Sequence, residues 1–292
     1  MHAYLPAIGF GQIKKKSQLQ QLLSSVQNFP DQVQKIRLDE ESSLVVYTKK
    51  VAPDIGLMIC GEEDMQGSFQ MEYYEPYINS NVCSSKAECS IEKESAREAY
   101  DGVCDDCRLG LNLIFSVNNF MEYRKYQVLQ GFFPTVTDAC LSALCTQGKI
   151  LLPILKRPEA ARIAKKKEQG RQKLIEAARE GNQEAIDSLT IDDMNLSNKV
   201  GRLLNSCDIY TMVESSIMPC GMESDRYTII GEILNVVPLV NEISKEPLCQ
   251  MDVKCNNICI RVLVNRLGLM GEPMAGRRFK GDIWLQGVVN FV

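Results

Sequence analysis

The chain has 292 residues, 45% of them hydrophobic and 24% charged, with a formal net charge of -4. That composition belongs to a folded globular protein long enough for two domains, and it excludes a disordered chain. The acidic balance excludes global steering to nucleic acid or anionic lipid, and no run approaches the ~18 apolar residues of a membrane helix.

Taken in chain order, the first predicted element is a helix from about Gln18 to Gln27. Ser17 and Gln20 fit a capping box, Leu19, Leu22, Leu23 and Val26 recur on one face, and Phe29-Pro30 ends the element. Strands follow over Ser43 to Val51 and Ile55 to Cys60, both rich in β-branched side chains, and Phe69, Met71 and Tyr73 alternate with polar neighbours. Gly61 to Gly67 reads as the loop between two of these antiparallel strands. A short helix is expected from about Glu92 to Tyr100, then a strand through Leu109 to Phe115. A second helix is expected from Phe120 to about Leu129, capped by Asn119 with Glu122. Two strands, Val136 to Cys145 and Lys149 to Leu155, are expected to join across Thr146-Gln147-Gly148.

Arg157 to Ser206 changes character and reads as a helical connector of three pieces, which begins with a basic run from Lys156 to Lys173. Beyond it, Tyr227 to Val237, Leu248 to Cys255, Ile258 to Val264 and Ile283 to Phe291 read as strands, with a fifth around Ile209 to Glu214. Asn256-Asn257 suits a tight hairpin because asparagine tolerates positive φ. The expected fold class is therefore α+β: an N-terminal antiparallel sheet with helices, a helical connector, and a C-terminal small β-barrel or sandwich. The expected units are 1–155, 156–206 and 207–292, and an OB-like barrel is one candidate for the last.

Several strings resemble a bacterial family catalogued as domain of unknown function 3881. They are the opening Met1 to Phe10, Gly102-Val103-Cys104-Asp105-Asp106, Ala177 to Ile186 and the closing Gly276 to Gly287. The resemblance covers essentially the whole chain. It implies one intact protein and brings no activity, substrate or site.

The single histidine limits the chemistry most. His2 stands beside the initiator methionine, where chains usually fray, so a histidine-based nucleophile is not expected and sites of two or three imidazoles are excluded. Met1 to Phe10 lacks the basic region of an export signal. The twelve cysteines are accordingly expected as buried thiols in a reducing cytoplasm, without disulfides.

Cys104-Asp105-Asp106-Cys107, with Cys83 and Cys89 upstream, offers a possible structural zinc site in which Cys104 and Cys107 are ligands. The irregular Cys83 to Cys89 gap favours ordinary thiols instead, and no cofactor is expected. Arg277, Arg278 and Lys280 beside Phe279 and Trp284 could form a contact surface that stacks on a partner or a base; the alternative is that Phe279 and Trp284 fill the core. Carboxylates gather in Glu62-Glu63-Asp64, Asp105-Asp106 and Asp192-Asp193, each at an expected turn or helix start. Gly276 to Gly281 has the glycine spacing of a phosphate loop, but Asp282 stands where lysine is required.

These absences favour a non-enzymatic binding protein that uses its C-terminal β-module, with a protein partner or a second copy as its ligand and no membrane. A carboxylate enzyme, with or without a divalent metal, and a nucleic-acid-binding barrel are the alternatives; the acidic balance disfavours the latter.

Overall fold

The computed structural model describes residues 1–95, 97–106, 108–109, 111–131, 134–154, 170–171, 173–191, 213–221 and 225–292. Its first sheet is an antiparallel meander of β1 (Gln32–Arg37), β2 (Ser42–Ala52), β3 (Ile55–Asp64) and β4 (Phe69–Ile78), in that order. The β2–β3 hairpin turns through Pro53 and Asp54, the latter at φ 60°. Most of the expected loop after Gly61 is strand: Glu62 and Glu63 pair with Gln70 and Phe69. Asp64 then closes the turn, its carboxylate accepting from Gln66 and Ser68 N–H. Charged side chains read as a loop here because this end of the ladder projects into solvent.

The second sheet contains β5 (Cys89–Lys93), β6 (Tyr100–Cys104), β7 (Leu113–Val117), β8 (Val136–Leu151), β9 (Ser216–Pro219), β10 (Arg226–Val240), β11 (Pro247–Cys255), β12 (Ile258–Asn265), β13 (Leu269–Met270) and β14 (Arg278–Phe291). The fold class is α+β, with an antiparallel sheet and a large mixed one. β8 bonds β12 in parallel and β14 in antiparallel, while β10, β11 and β12 form a meander and β10 bonds β14. The pairings β8–β12–β11–β10–β14–β8 therefore close a five-strand ring. Four of its strands come from the last third of the chain, and β8 comes from before residue 155.

Asn256 and Asn257 make the β11–β12 turn at φ 44° and 67°, as their tolerance of positive φ requires. β8 is one continuous strand of 16 residues rather than two joined by a turn. Gly148 does not turn the chain. It faces Gly281 across the β8–β14 ladder, and a Cβ at Gly148 would meet the Phe279 ring at 2.5 Å. The expected helix from Glu92 to Tyr100 is instead the end of β5, a short loop and the start of β6. Strand pairing overrides local helix preference there. β7 begins at Leu113, later than expected.

Two helices brace the sheets. α1 (Lys16–Asn28) starts slightly earlier than the capping pattern indicated, with the Gln18 carboxamide oxygen accepting from the N–H groups of Lys14 and Lys15. α2 (Phe120–Gln130) ends at Gly131, at φ 69°. One core lies inside the ring, continues under β5–β7 and reaches α2 and one face of the first sheet. The other lies between the opposite face of that sheet, α1, the chain start and the outside of the ring, where Leu144, Leu248, Leu263 and Trp284 project.

Residues 173–179 and 183–191 are helical. Most of the rest of the expected connector, nearly all of the basic run, the Asp192-Asp193 pair and most of the expected strand around Ile209 lie outside the described residues. Among the described residues, no helix is long and apolar enough to cross a membrane.

Candidate functional site

Alternation along β14 decides the fate of the C-terminal candidates. Phe279, Ile283 and Leu285 point into the ring and are fully buried. Trp284 points outward yet is only 5% exposed, because the start of the chain covers it. The His2 and Tyr4 rings lie 4.8 and 5.5 Å from the indole, and the indole N–H donates to the Asp225 carboxylate at 2.5 Å. Arg278 is also 5% exposed; its guanidinium donates to the Leu152 carbonyl at 2.9 Å and to the Val213 carbonyl. Burial draws its pKa down, with Glu214 opposing. Arg277 donates to the Glu272 carbonyl at 2.8 Å, and Lys280 stands opposite Lys149. Thus Phe279 and Trp284 fill the core, the alternative that their size favours. Arg278 and Trp284 are buried, so Arg277, Arg278, Lys280 and Trp284 do not form one exposed surface.

His2 does not fray. Its N–H donates to the Tyr74 hydroxyl at 2.8 Å, and burial, followed by the charges of Arg97 and Arg226, pulls its pKa down to about 4. It is a neutral ring in a packed aromatic corner at neutral pH. No local pattern could reveal this, since Trp284 and His2 lie at opposite ends of the chain.

Of the C-x-x-C pair, Cys107 lies outside the described residues. Cys104 sits opposite Cys89 on the β5–β6 hairpin, and both side chains are buried. The Asp105 N–H donates to the Glu88 carbonyl at 3.0 Å, so Glu88 and Asp105 form a hydrogen-bonded pair. The neighbouring Cys89–Cys104 pair is then the non-hydrogen-bonded kind, in which side chains approach closest. Each thiol is the main cause of the other's shift, drawing the Cys104 pKa down and the Cys89 pKa up, and Ser85 adds to the lowering at Cys104.

Beside this pair is an open cavity of about 420 Å³ lined by Cys83, Ser84, Ser85, Lys86, Ala87, Asp106 and Arg108. Asp106 accepts from the Ser85 hydroxyl at 2.5 Å and from Arg108 Nε at 2.8 Å. Burial opposes its charge, but the Arg108 and Ser85 hydrogen bonds outweigh it and hold the carboxyl at about 2. Arg108 also donates to the Ser84 carbonyl at 2.9 Å. The adjacent carboxylates in this motif separate: Asp105 reaches out to Arg179 at 2.8 Å while Asp106 turns inward. Among the described residues, no three His, Cys, Asp or Glu side chains are arranged to hold a metal ion.

A carboxylate cluster that sequence spacing could not reveal surrounds Arg97. Arg97 donates to Glu75 at 2.7 Å and to Glu94 at 2.8 and 2.9 Å, and lies 4.7 Å over the Tyr73 ring. Burial pushes Glu75 up to about 7 despite Arg97, and burial with Glu94 and Asp225 pushes Asp101 to about 6. A smaller cavity of about 190 Å³ lies between the first sheet and the start of α2, lined by Gln32, Thr48, Lys50, Tyr77, Asn118 and neighbours.

At the β13 end of the ring the surface is apolar. Leu267 is 77% exposed, Leu152 74%, Met270 66% and Met274 52%. Short links gather these residues: Met270 pairs with Lys149, Gly271 approaches Ile150, Arg278 donates to the Leu152 carbonyl, and Gly276 N–H donates to the Ile233 carbonyl. Leu234, also exposed, adjoins the last of these links.

A five-strand ring that shares a strand with the N-terminal half, braced by a second antiparallel sheet, defines an α+β protein. The family model described as "Domain of unknown function, E. rectale Gene description (DUF3881)" matches residues 5–287, and the chain belongs to that family. No curated protein and no solved structure matches the chain.

Proposed function

We propose that this is a non-enzymatic binding protein that docks another protein chain on the β13 end of its C-terminal β-module. One observation carries the reading: Leu152, Leu267, Met270 and Met274 leave their apolar side chains in solvent on adjoining segments. Scattered exposed apolar residues are ordinary, whereas gathered ones mark contact surfaces. Two of the four are methionines, which repack readily against a partner. Lys149, Arg266 and Arg277 surround the patch; the Glu272 carboxylate pairs with Arg266, and its backbone carbonyl accepts from Arg277. The partner that fits is an amphipathic segment whose apolar stripe is flanked by acidic side chains, from another protein or from a second copy.

The competing readings have weaker support. Glu75 and Asp101 line neither of the two cavities described above. Burial of Arg278 and Trp284 removes the stacking surface that nucleic-acid binding by the ring required. We assign the protein to the bacterial cytoplasm, a reading supported by the organism in the family's description.

The test replaces two of the exposed side chains together, Leu267→Glu with Met270→Glu. Both are already in solvent, so the melting temperature is expected to stay within about 2 °C of wild type, as for surface changes generally. Copurification from native extract is expected to lose a partner that the wild type retains. An unchanged set of copurifying proteins and an unchanged oligomeric state would overturn the reading.

A further inference from the structure

We infer that Cys89 and Cys104 are a peroxide-responsive dithiol that closes to a disulfide across the β5–β6 hairpin. This is independent of the docking surface.

The geometry comes from the ladder. Glu88 with Asp105 and Glu94 with Ala99 are hydrogen-bonded rungs, fixed by N–H to carbonyl bonds of 3.0 and 2.9 Å. Counting in steps of two from either rung leaves Cys89 opposite Cys104 at a non-hydrogen-bonded position. There the Cα atoms of opposed residues lie ~4.5 Å apart, inside the range a disulfide spans. Each thiol is the main perturber of the other's ionisation. The bond therefore needs no movement of the backbone.

Cys104 is fully buried, so a bulky disulfide oxidant does not reach it, but hydrogen peroxide is small enough. The oxidant would enter from the open cavity, whose wall includes Arg108 and Ser85, the latter a residue that lowers the Cys104 pKa. The Cys104 thiolate attacks one peroxide oxygen; an S–O bond forms, the O–O bond breaks, and hydroxide leaves and takes a proton to become water. The Cys89 thiol then gives up its proton and attacks the Cys104 sulfur. An S–S bond forms, the S–O bond breaks, and a second water leaves. Two thiols and one peroxide become one disulfide and two waters. The lowered Cys104 pKa supplies thiolate at neutral pH and the raised Cys89 pKa keeps the resolving group protonated until it is needed.

β5 is the last strand of the large sheet, so the bond would fasten an edge strand to its neighbour. The reduced full-length protein is treated with hydrogen peroxide, remaining thiols are alkylated, and the peptides are mapped. A Cys89–Cys104 disulfide reversed by dithiothreitol is expected, with slower amide exchange over 89–104 in the oxidised form. In the Cys89→Ser variant Cys104 should stop at the sulfenic acid, read as a gain of one oxygen in the intact-protein mass. Both cysteines recovered as alkylated thiols, or a disulfide joining either to another cysteine, would overturn the inference. The wild-type map alone decides this if a variant does not fold.

Discussion

At Gly148 one methyl group would collide with the Phe279 ring, which lies 2.5 Å from where a Cβ would stand. Gly281, directly opposite, has the same ring within 2.7 Å of its own Cβ position. The two glycines are thus a slot for an aromatic side chain across neighbouring strands. Gly281 is the residue that gave the C-terminal segment the spacing of a phosphate loop, and packing now accounts for it. Gly148→Val should destabilise the protein by about 1–3 kcal/mol, the usual cost of overpacking a core, or more because the ring has little room to move. Chemical denaturation measures it, and a cost near zero would show that the slot is not filled.

His2 gives a second residue-scale expectation. Its folded pKa of about 4 lies below the ordinary imidazole value of 6.5, so the unfolded chain takes up the proton first as pH falls. The stability it contributes is fully present above about 6.5 and is lost as pH falls through about 4. In an untagged protein, the difference in melting temperature between wild type and His2→Asn should shrink over that window. A constant difference would place the ring in solvent, contrary to its contacts with Tyr4 and Trp284.

Among the elements, the locally encoded ones were legible. α1 and α2 follow helical spacing and end at Phe29 and Gly131, where chemistry ends helices. Asn256-Asn257 makes its hairpin for a reason contained in two residues. β5 and β6 were not legible, because Glu92, Lys93 and Glu94 carry helix-favouring side chains and only pairing with β7 makes the segment extended. β8 was divided at Gly148 because a glycine beside polar residues reads as a turn unless the ring it accommodates is known. The cysteine pair shows the same limit. C-x-x-C spacing directs attention to Cys107, while Cys89, 15 positions before Cys104, meets it through hairpin register alone.

For the whole molecule, the ring is closed by a strand from before the connector and sealed outside by the chain's first residues. That long-range closure buries Trp284 and Arg278 and moves the candidate contact surface to the β13 end. Leu267, Met270 and Met274 have helical spacing in the sequence, but Gly268, Gly271 and Pro273 among them break a helix. Only the loop that carries these side chains past Leu152 makes them a patch.

The central claim is that this patch contacts another protein. A photoreactive amino acid placed at Met270, in living cells that make the protein, tests it directly. Val33, 52% exposed on the edge strand of the first sheet, provides the control. Irradiation should give a discrete crosslinked species from position 270 and none from position 33. No adduct at 270, or the same adducts from both positions, would contradict the account.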